Sequence, residues 1–269
     1  MFIEKLNIKQ NFMKTIANWV RRILFKILPL ESYLNLLSKM YFVSFRLNLL
    51  KNNQLYIYPY FLKNVIKKGD ICIDIGANLG YFSTLLSKLA GPDGKVYAVE
   101  PIKQVLSVLR RNTRKLKNVE ILPFALGEEN KTIQLGNNTI NTSGFMASGS
   151  NKVISAETET DIRFDAEMKK GSEVFGNLEK LDFIKIDIEG YEAIVLLELE
   201  PVISKHRPTL LIETRRENRV TLLKFFKEKG YNSYILENNL LIPATPENYW
   251  DIITIPSEKK DFLREFIVP

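Results

Sequence analysis

The stretch ICIDIGANLGYF, residues 71–82, decides how the chain is read. An apolar run of strand character, 71–75, carries one acid, Asp74. It breaks into Gly76-Ala77-Asn78-Leu79-Gly80 before helical spacing resumes at Tyr81. A glycine turn between a strand and a helix suits a nucleotide-like ligand, because backbone and helix N-terminus can approach it closely. A dinucleotide fingerprint would place glycine where Asn78 stands, and the phosphate clamp GxxxxGK[ST] is absent. A carboxylate at Asp74 repels phosphate and suits a ligand with ammonium, sulfonium and hydroxyl groups.

Working outward, strands alternate with helices. Strands are expected over 95–100, 119–123, 182–188 and 209–213, with helices over 81–89, 104–116, 191–205 and 218–229. This rhythm predicts a mostly parallel, doubly wound α/β sheet. Two last strands, 233–236 and 252–255, lie too close for a crossover helix and are expected as an antiparallel hairpin at the sheet edge. Residues 128–178 interrupt the rhythm. They are polar, rich in Asn, Ser, Thr and Gly around 136–151, and read as a hairpin-and-loop insertion facing an acceptor, with Phe145 offered as a stacking ring.

The net charge of +7 is local. Residues 1–51 hold nine Lys/Arg against Glu4 and Glu31, whereas the remaining residues hold 29 of each sign. A nucleic-acid-binding domain more often carries its basic stripe through the fold, so no nucleic acid is expected as a partner. Over 12–28, Phe12, Ile16, Trp19, Val20, Ile23, Leu24 and Ile27 form an apolar helical stripe with basic neighbours. This stripe fits either packing on the main domain or peripheral contact at the inner face of a membrane. The organisation expected is a basic helical segment over 1–58 followed by the main domain over 59–269. No clean secretory signal and no run of 18 apolar residues is seen, and the single cysteine, Cys72, suits a reducing, cytoplasmic setting.

VYAVEP ends the second strand with Glu100 and Pro101 beside the glycine turn, where a carboxylate can accept two hydrogen bonds from a ribose diol. Together with D-x-G-x-N-x-G, this points to S-adenosylmethionine. The segments DICIDIGANLGYFS, VYAVEP, VEILPFALGE, LDFIKIDIEGYE and RPTLLIE resemble, in order and spacing, the FkbM family of S-adenosylmethionine-dependent methyltransferases over about 59–256. The resemblance implies the class I methyltransferase fold, Rossmann-like, with seven strands including the antiparallel pair. It also implies O-methylation, often of sugar hydroxyls, so the expected partner is a sugar or glycan acceptor, including lipid-linked glycans. The cofactor residues it implies are Asp74, Gly76, Ala77, Asn78, Gly80, Tyr81, Glu100 and Pro101, with Phe124, Ala125 and Leu126 against adenine. One departure is Ser172-Glu173-Val174-Phe175, where many members carry an acidic D-x-[LF].

The strand over 182–188 carries charge where a central parallel strand is usually apolar on both faces. Lys185, Asp187 and Glu189 share one side. Methyl transfer to a poorly acidic hydroxyl benefits from a general base. The only histidine, His206, falls at the far end of a βα unit, so the base is expected among Asp187 and Glu189, then Glu213, with Lys185 beside them. No His/Cys set with zinc spacing exists, and no metal is assigned, although the three acids also allow magnesium or calcium. Arg215 and Arg216 could meet an anionic acceptor. Two rival functions are an RNA-modifying methyltransferase and a non-catalytic, membrane-associated protein that binds S-adenosylmethionine.

Overall fold

The computed structural model describes residue 15 and residues 17–51, 53–214, 216–248 and 251–268. Two sheets organise the main body. The larger has eight strands. Its parallel part comprises β1 (Ile71–Ile75), β2 (Lys95–Val99), β3 (Val119–Leu122), β8 (Phe183–Ile186) and β9 (Thr209–Ile212). Helices follow β1 as α4 (Tyr81–Ala90) and β2 as α5 (Lys103–Thr113). The strand order, from one edge, is β3-β2-β1-β8-β9. The chain winds outward from β1 to β3 and returns to the other side of β1 with β8. The carboxyl ends of β1 and β8 therefore flank the switch in strand order, where open α/β sheets hold their ligands.

The far edge contains one strand more than expected. β10 (Tyr231–Glu237), β11 (Leu240–Pro243) and β12 (Ile252–Pro256) are antiparallel, and β12 lies between β9 and β10. The predicted strands do pair antiparallel, Ser233 opposite Thr254, but the edge belongs to β11. Asn238 and Asn239, at φ of 51° and 65°, form the two-residue turn from β10 to β11. Asparagine tolerates this left-handed conformation, so the hairpin closes without the glycine that usually announces it.

The insertion is more ordered than a hairpin and loop. A second sheet runs β4-β7-β5-β6, from Ala125–Gly127, Ile162–Lys170, Lys131–Asn137 and Lys152–Ile154. In β7, Phe164, Ala166 and Met168 point into a core and alternate with exposed Arg163, Asp165 and Glu167. Phe145 is buried in this same core, with the Arg21 guanidinium 5.6 Å from its ring centre, so it is not a free stacking face. Glu173, in the short helix α7 (Gly171–Phe175) after β7, accepts a hydrogen bond from Asn130 at 2.9 Å.

The basic N-terminal segment divides its faces. Residues 17–27 are helical (α1), and α2 spans Leu30–Arg46. Leu24, Phe25 and Leu28 pack inward, and Tyr33 and Leu34 are fully buried with Leu79, Ile102, Val105, Met146 and Phe164. The segment is thereby wedged between α5 and the insertion, and Arg111 bonds Glu31 at 2.8 Å. The expected single stripe is corrected. Trp19, Ile23 and Ile27 face solvent, while Leu24 packs inward; Phe12 and Ile16 lie outside the described residues. No helix among the described residues is long and apolar enough to cross a membrane.

Burial of Leu34 ties the segment's fate to the sheet. Leu34→Ala is expected to cost about 3 kcal/mol, since truncating a fully buried leucine removes its contacts and leaves a cavity. Urea unfolding should remain one transition with a lower midpoint. An early separate transition would instead show that the segment melts independently.

Candidate active site

At the carboxyl end of β1 the chain turns sharply because the neighbouring strand leaves no room. A Cβ on Gly76 would sit 2.0 Å from the Asp187 carbonyl oxygen, and Gly76 has φ of +75°. Gly80 has φ of +87°, and a Cβ there would meet Leu109 at 2.8 Å. The amides of the turn are already engaged. Gly76 and Ala77 donate to the Val99 carbonyl at 3.0 and 2.9 Å, Gly80 donates to Ala77 at 2.9 Å, and Asn78 donates to Glu100 at 3.0 Å. With those donors engaged, the turn makes a poor phosphate cradle. This is a firmer reason than charge repulsion by Asp74.

Asp74 lies beneath the turn, fully buried, and accepts a hydrogen bond from the Ser83 hydroxyl at 2.5 Å. Lys185, on the adjacent strand β8, is also buried. Its ammonium lies 3.7 Å from Asp74 and 3.3 Å from Asp187, and donates to the Gly76 carbonyl at 3.1 Å. Burial raises the Asp74 carboxyl above its usual range, and the Lys185 charge and Ser83 hydroxyl offset only part of that. Burial pulls Lys185 down, but Asp187, Asp74 and Glu213 more than reverse it and leave the ammonium firmly charged. Neither Asp74 nor Lys185 lines the open cavity. Both position the groups that do.

The cavity lies over the turn. Gly76, Asn78, Glu100, Pro101, Ala125 and Leu126 line it. Ala77, Gly80, Tyr81 and Phe124 do not. The Tyr81 ring lies tilted against Tyr41 of α2, centres 4.0 Å apart, and Phe124 is buried with the Lys169 ammonium 4.7 Å from its ring centre. Glu100 is buried rather than solvated, and its two oxygens accept the amides of Asn78 and Ile102 at 3.0 and 2.9 Å. Burial pushes its carboxyl up to about 7 despite those two bonds.

The opposite wall comes from the insertion, which sequence reading did not connect to the cofactor. Ser148, Gly149 and Asn151 line the cavity, and a Cβ on Gly149 would stand 3.3 Å from the Asn78 amide nitrogen. Asn137, 1% exposed, holds this loop in place. Its amide donates to the Ala147 carbonyl at 2.9 Å and to Asn151 at 3.0 Å, while its oxygen accepts from the Thr139 amide at 3.0 Å.

At the cavity's other end Asp187 and Glu189 reach the surface of the same space. Glu189 adopts φ of 59°, in the left-handed region. With Glu213 they bring carboxylate oxygens within 4.8 Å of one another, a set that could hold a divalent ion. Burial, a hydrogen bond to Asp187 and that residue's charge push the Glu213 carboxyl up to about 9. Asp251 joins them unannounced. β12 runs against β9 with Ile252 opposite Ile212, so the residue before β12 falls beside Glu213. Burial first, then Asp187, raises Asp251 to about 7. His206 ends α9 (Glu200–His206), before β9 begins and away from this edge. Arg215 lies outside the described residues, as does the side chain of Arg216.

The model of the methyltransferase FkbM domain matches residues 74–233, more than half of the chain. The chain belongs to this family, for which S-adenosylmethionine is the cofactor expected. It is 36% identical over 63 residues to a protein-L-isoaspartate O-methyltransferase of Aeropyrum pernix, covering 23% of this chain and 24% of that one. It is 27% identical over 144 residues to Methyltransferase 1 of Beauveria bassiana, covering 48% and 57%. The chain thus spans less than two thirds of these curated relatives. The crystal structure of an FkbM methyltransferase from Methylobacillus flagellatus KT is similar with a TM-score of 0.48 and 16% identity, over 73% of this chain and 50% of that one.

The cavity fits the cofactor by its own chemistry. The Asn78 side-chain oxygen is buried with no hydrogen-bond partner among the described residues, and Asn78 lines the cavity, so this oxygen suits a ligand rich in donors. Glu100 offers its remaining lone pairs to a diol, and Ala125 and Leu126 give an apolar face for a base.

Two outcomes follow from this geometry. Asn137→Ala is expected to weaken S-adenosylhomocysteine binding on the order of tenfold by calorimetry, because two hydrogen bonds that hold the 147–151 loop are lost. Glu213 governs the second. Its folded value lies above the usual carboxylate value of 4.5, so the folded state holds the proton longer and stability falls as pH rises toward about 9. Asp251 and Glu100, near 7, contribute with the same sign at lower pH. Thermal unfolding between pH 7 and 9 should therefore decline less in Glu213→Gln than in the unmodified protein.

Proposed function

We propose that the chain transfers a methyl group to a hydroxyl of a sugar or glycan, with Asp187 as the general base. The observation that carries the reading is the group of acids at the cavity edge, in which Asp187 hydrogen-bonds Glu213 and lies 3.3 Å from the Lys185 ammonium. S-adenosylmethionine, when bound, supplies a methyl group already activated on a sulfonium. The protein's part is then to orient an oxygen, exclude water and take up one proton.

Burial and the neighbouring Asp187 favour the protonated form of Glu213, which suits it as a hydrogen-bond donor to Asp187 rather than as the base. Asp187 lies beside the Lys185 ammonium, 3.3 Å away, and is half exposed toward the cavity. That combination presents the carboxylate toward a hydroxyl proton while its partners hold its orientation. Glu189, in the same rim, offers a second acceptor for a neighbouring hydroxyl, which suits a polyol better than an isolated alcohol. Asn151 and Ser148 extend this polar rim onto the insertion. An acceptor with several hydroxyls matches such a surface through paired hydrogen bonds, whereas a polyanion would meet the acids Asp187 and Glu189 at the rim.

The test supplies S-adenosylmethionine carrying a labelled methyl group to the protein with a cell extract fractionated into lipid-linked glycans, polysaccharide and RNA. Label is expected in a glycan fraction, as alkali-stable ether. Asp187→Asn should lower turnover roughly 10²–10⁴-fold while S-adenosylhomocysteine affinity changes little. Label confined to RNA would overturn the acceptor class, and an unchanged rate in Asp187→Asn would remove it as the base.

A further inference from the structure

We propose that the outer faces of α1 and α2 form a docking surface for an anionic lipid bilayer. The surface is distinct from the cofactor cavity, and the inference does not depend on the acceptor.

On α1, Trp19, Ile23 and Ile27 recur every four residues and are 61%, 38% and 68% exposed. On α2 and just after it, Met40, Val43 and Leu47 recur at helical spacing and are 52%, 57% and 60% exposed, with Leu49 beyond them at 70%. Each set therefore forms one stripe along its helix. These side chains are surplus to folding, because the same helices already bury a different face through Leu24, Phe25, Leu28, Tyr33 and Leu34. Isolated exposed apolar residues need no explanation, but two stripes of large ones, including a tryptophan, on consecutive helices do.

The charge says what covers them. By helical position, Lys26 borders the first stripe, and Lys39 and Arg46 border the second; all three are exposed, whereas Arg22 turns to the insertion and donates to the Ser143 carbonyl at 2.7 Å. The whole net charge of +7 belongs to residues 1–51, and the rest of the chain is balanced. An apolar stripe bordered by cations is the pattern of a helix lying in the plane of a membrane interface, with its apolar side among acyl chains and its basic side among anionic headgroups. A second copy of the chain fits less well, because a two-fold contact would bring the two basic borders together. RNA would pair with the charge but leave the tryptophan, isoleucines and leucines in water.

The fold places this surface apart from the reaction. The inward face of α2 reaches Tyr81, the first residue of α4, through Tyr41, so the lipid-facing elements rest on the element that follows the cofactor turn. Docking through the outer stripes would leave that contact intact.

The experiment uses the full chain and vesicles of phosphatidylcholine with or without 30% phosphatidylglycerol, at about that fraction to set a negative surface potential. The protein is expected to float with the anionic vesicles, to remain behind with the neutral ones, and to be released by 0.5 M salt, a concentration at about which surface charges are largely screened. The triple variant Trp19→Ser, Ile23→Ser, Ile27→Ser should lose on the order of tenfold or more in partitioning, and Val43→Ser with Leu47→Ser should lose part. S-adenosylhomocysteine affinity of each variant should equal that of the unmodified chain, which establishes that the fold is intact. Failure of the unmodified chain to float with anionic vesicles would overturn the proposal. So would flotation unaffected by the triple variant at unchanged fold. A doubled mass by light scattering that the triple variant halves, without flotation, would assign the face to self-association instead.

Discussion

An ammonium buried between two neighbouring strands sets where the rest of the site falls. Lys185 reaches across from β8 to the end of β1, where it meets Asp74, the Gly76 carbonyl and Asp187. A buried charge is tolerated only when its partners are close and well placed, so the three acceptors and the ammonium hold one another in register. The first strand, the glycine turn and the acid rim are thereby fixed as one unit. The backbone enforces the same register sterically, since Gly76 passes so close to the Asp187 carbonyl that no side chain fits between them. Replacing Lys185 with an apolar residue would leave Asp74 uncompensated at zero exposure, which explains why a charged pair persists in the middle of a parallel sheet.

The cofactor cavity is built on that unit from three directions. β1 contributes the turn, β2 contributes Glu100, and the insertion contributes the loop after Asn137. Glu100 does double duty: it accepts the Asn78 amide, which shapes the turn, while facing the cavity. The insertion is then a wall of the cofactor site as well as a neighbour of the acceptor rim. Both the donor's surroundings and the rim that meets an acceptor depend on one second sheet.

The parallel strands and the glycine turn were legible because their signals are local. Short apolar runs end in glycine or in an acid, and helical spacing follows. The second sheet was hidden because β7 alternates Phe164, Ala166 and Met168 with charged residues in a segment whose surroundings are polar. β11 was hidden because Asn238-Asn239 replaces the expected glycine in its turn. At the site, Asp187, Glu189 and Glu213 could be assembled from strand ends alone. Asp251 could not, since its place depends on β12 running backwards into the sheet beside β9. Asp74 and Lys185 were found by their unusual position in apolar strands, but their burial beneath the turn, rather than contact with a ligand, required the three-dimensional arrangement.

The pairing of β1 with β8 has a consequence for how the polypeptide is made. Cys72 lies opposite Phe183 and Ile75 opposite Ile186, so partners in the central pair are 111 residues apart in the chain. As a ribosome releases the chain from the N-terminus, β1 and its glycine turn emerge early and pair with β2, yet the floor of the turn is still unmade. Closing so long a loop is slow compared with forming a local helix. The second sheet, which lies wholly between the two strands in sequence, can fold in that interval and shorten the effective loop. Cofactor binding is therefore a late event in biogenesis, available only after Lys185 and Asp187 have left the exit tunnel.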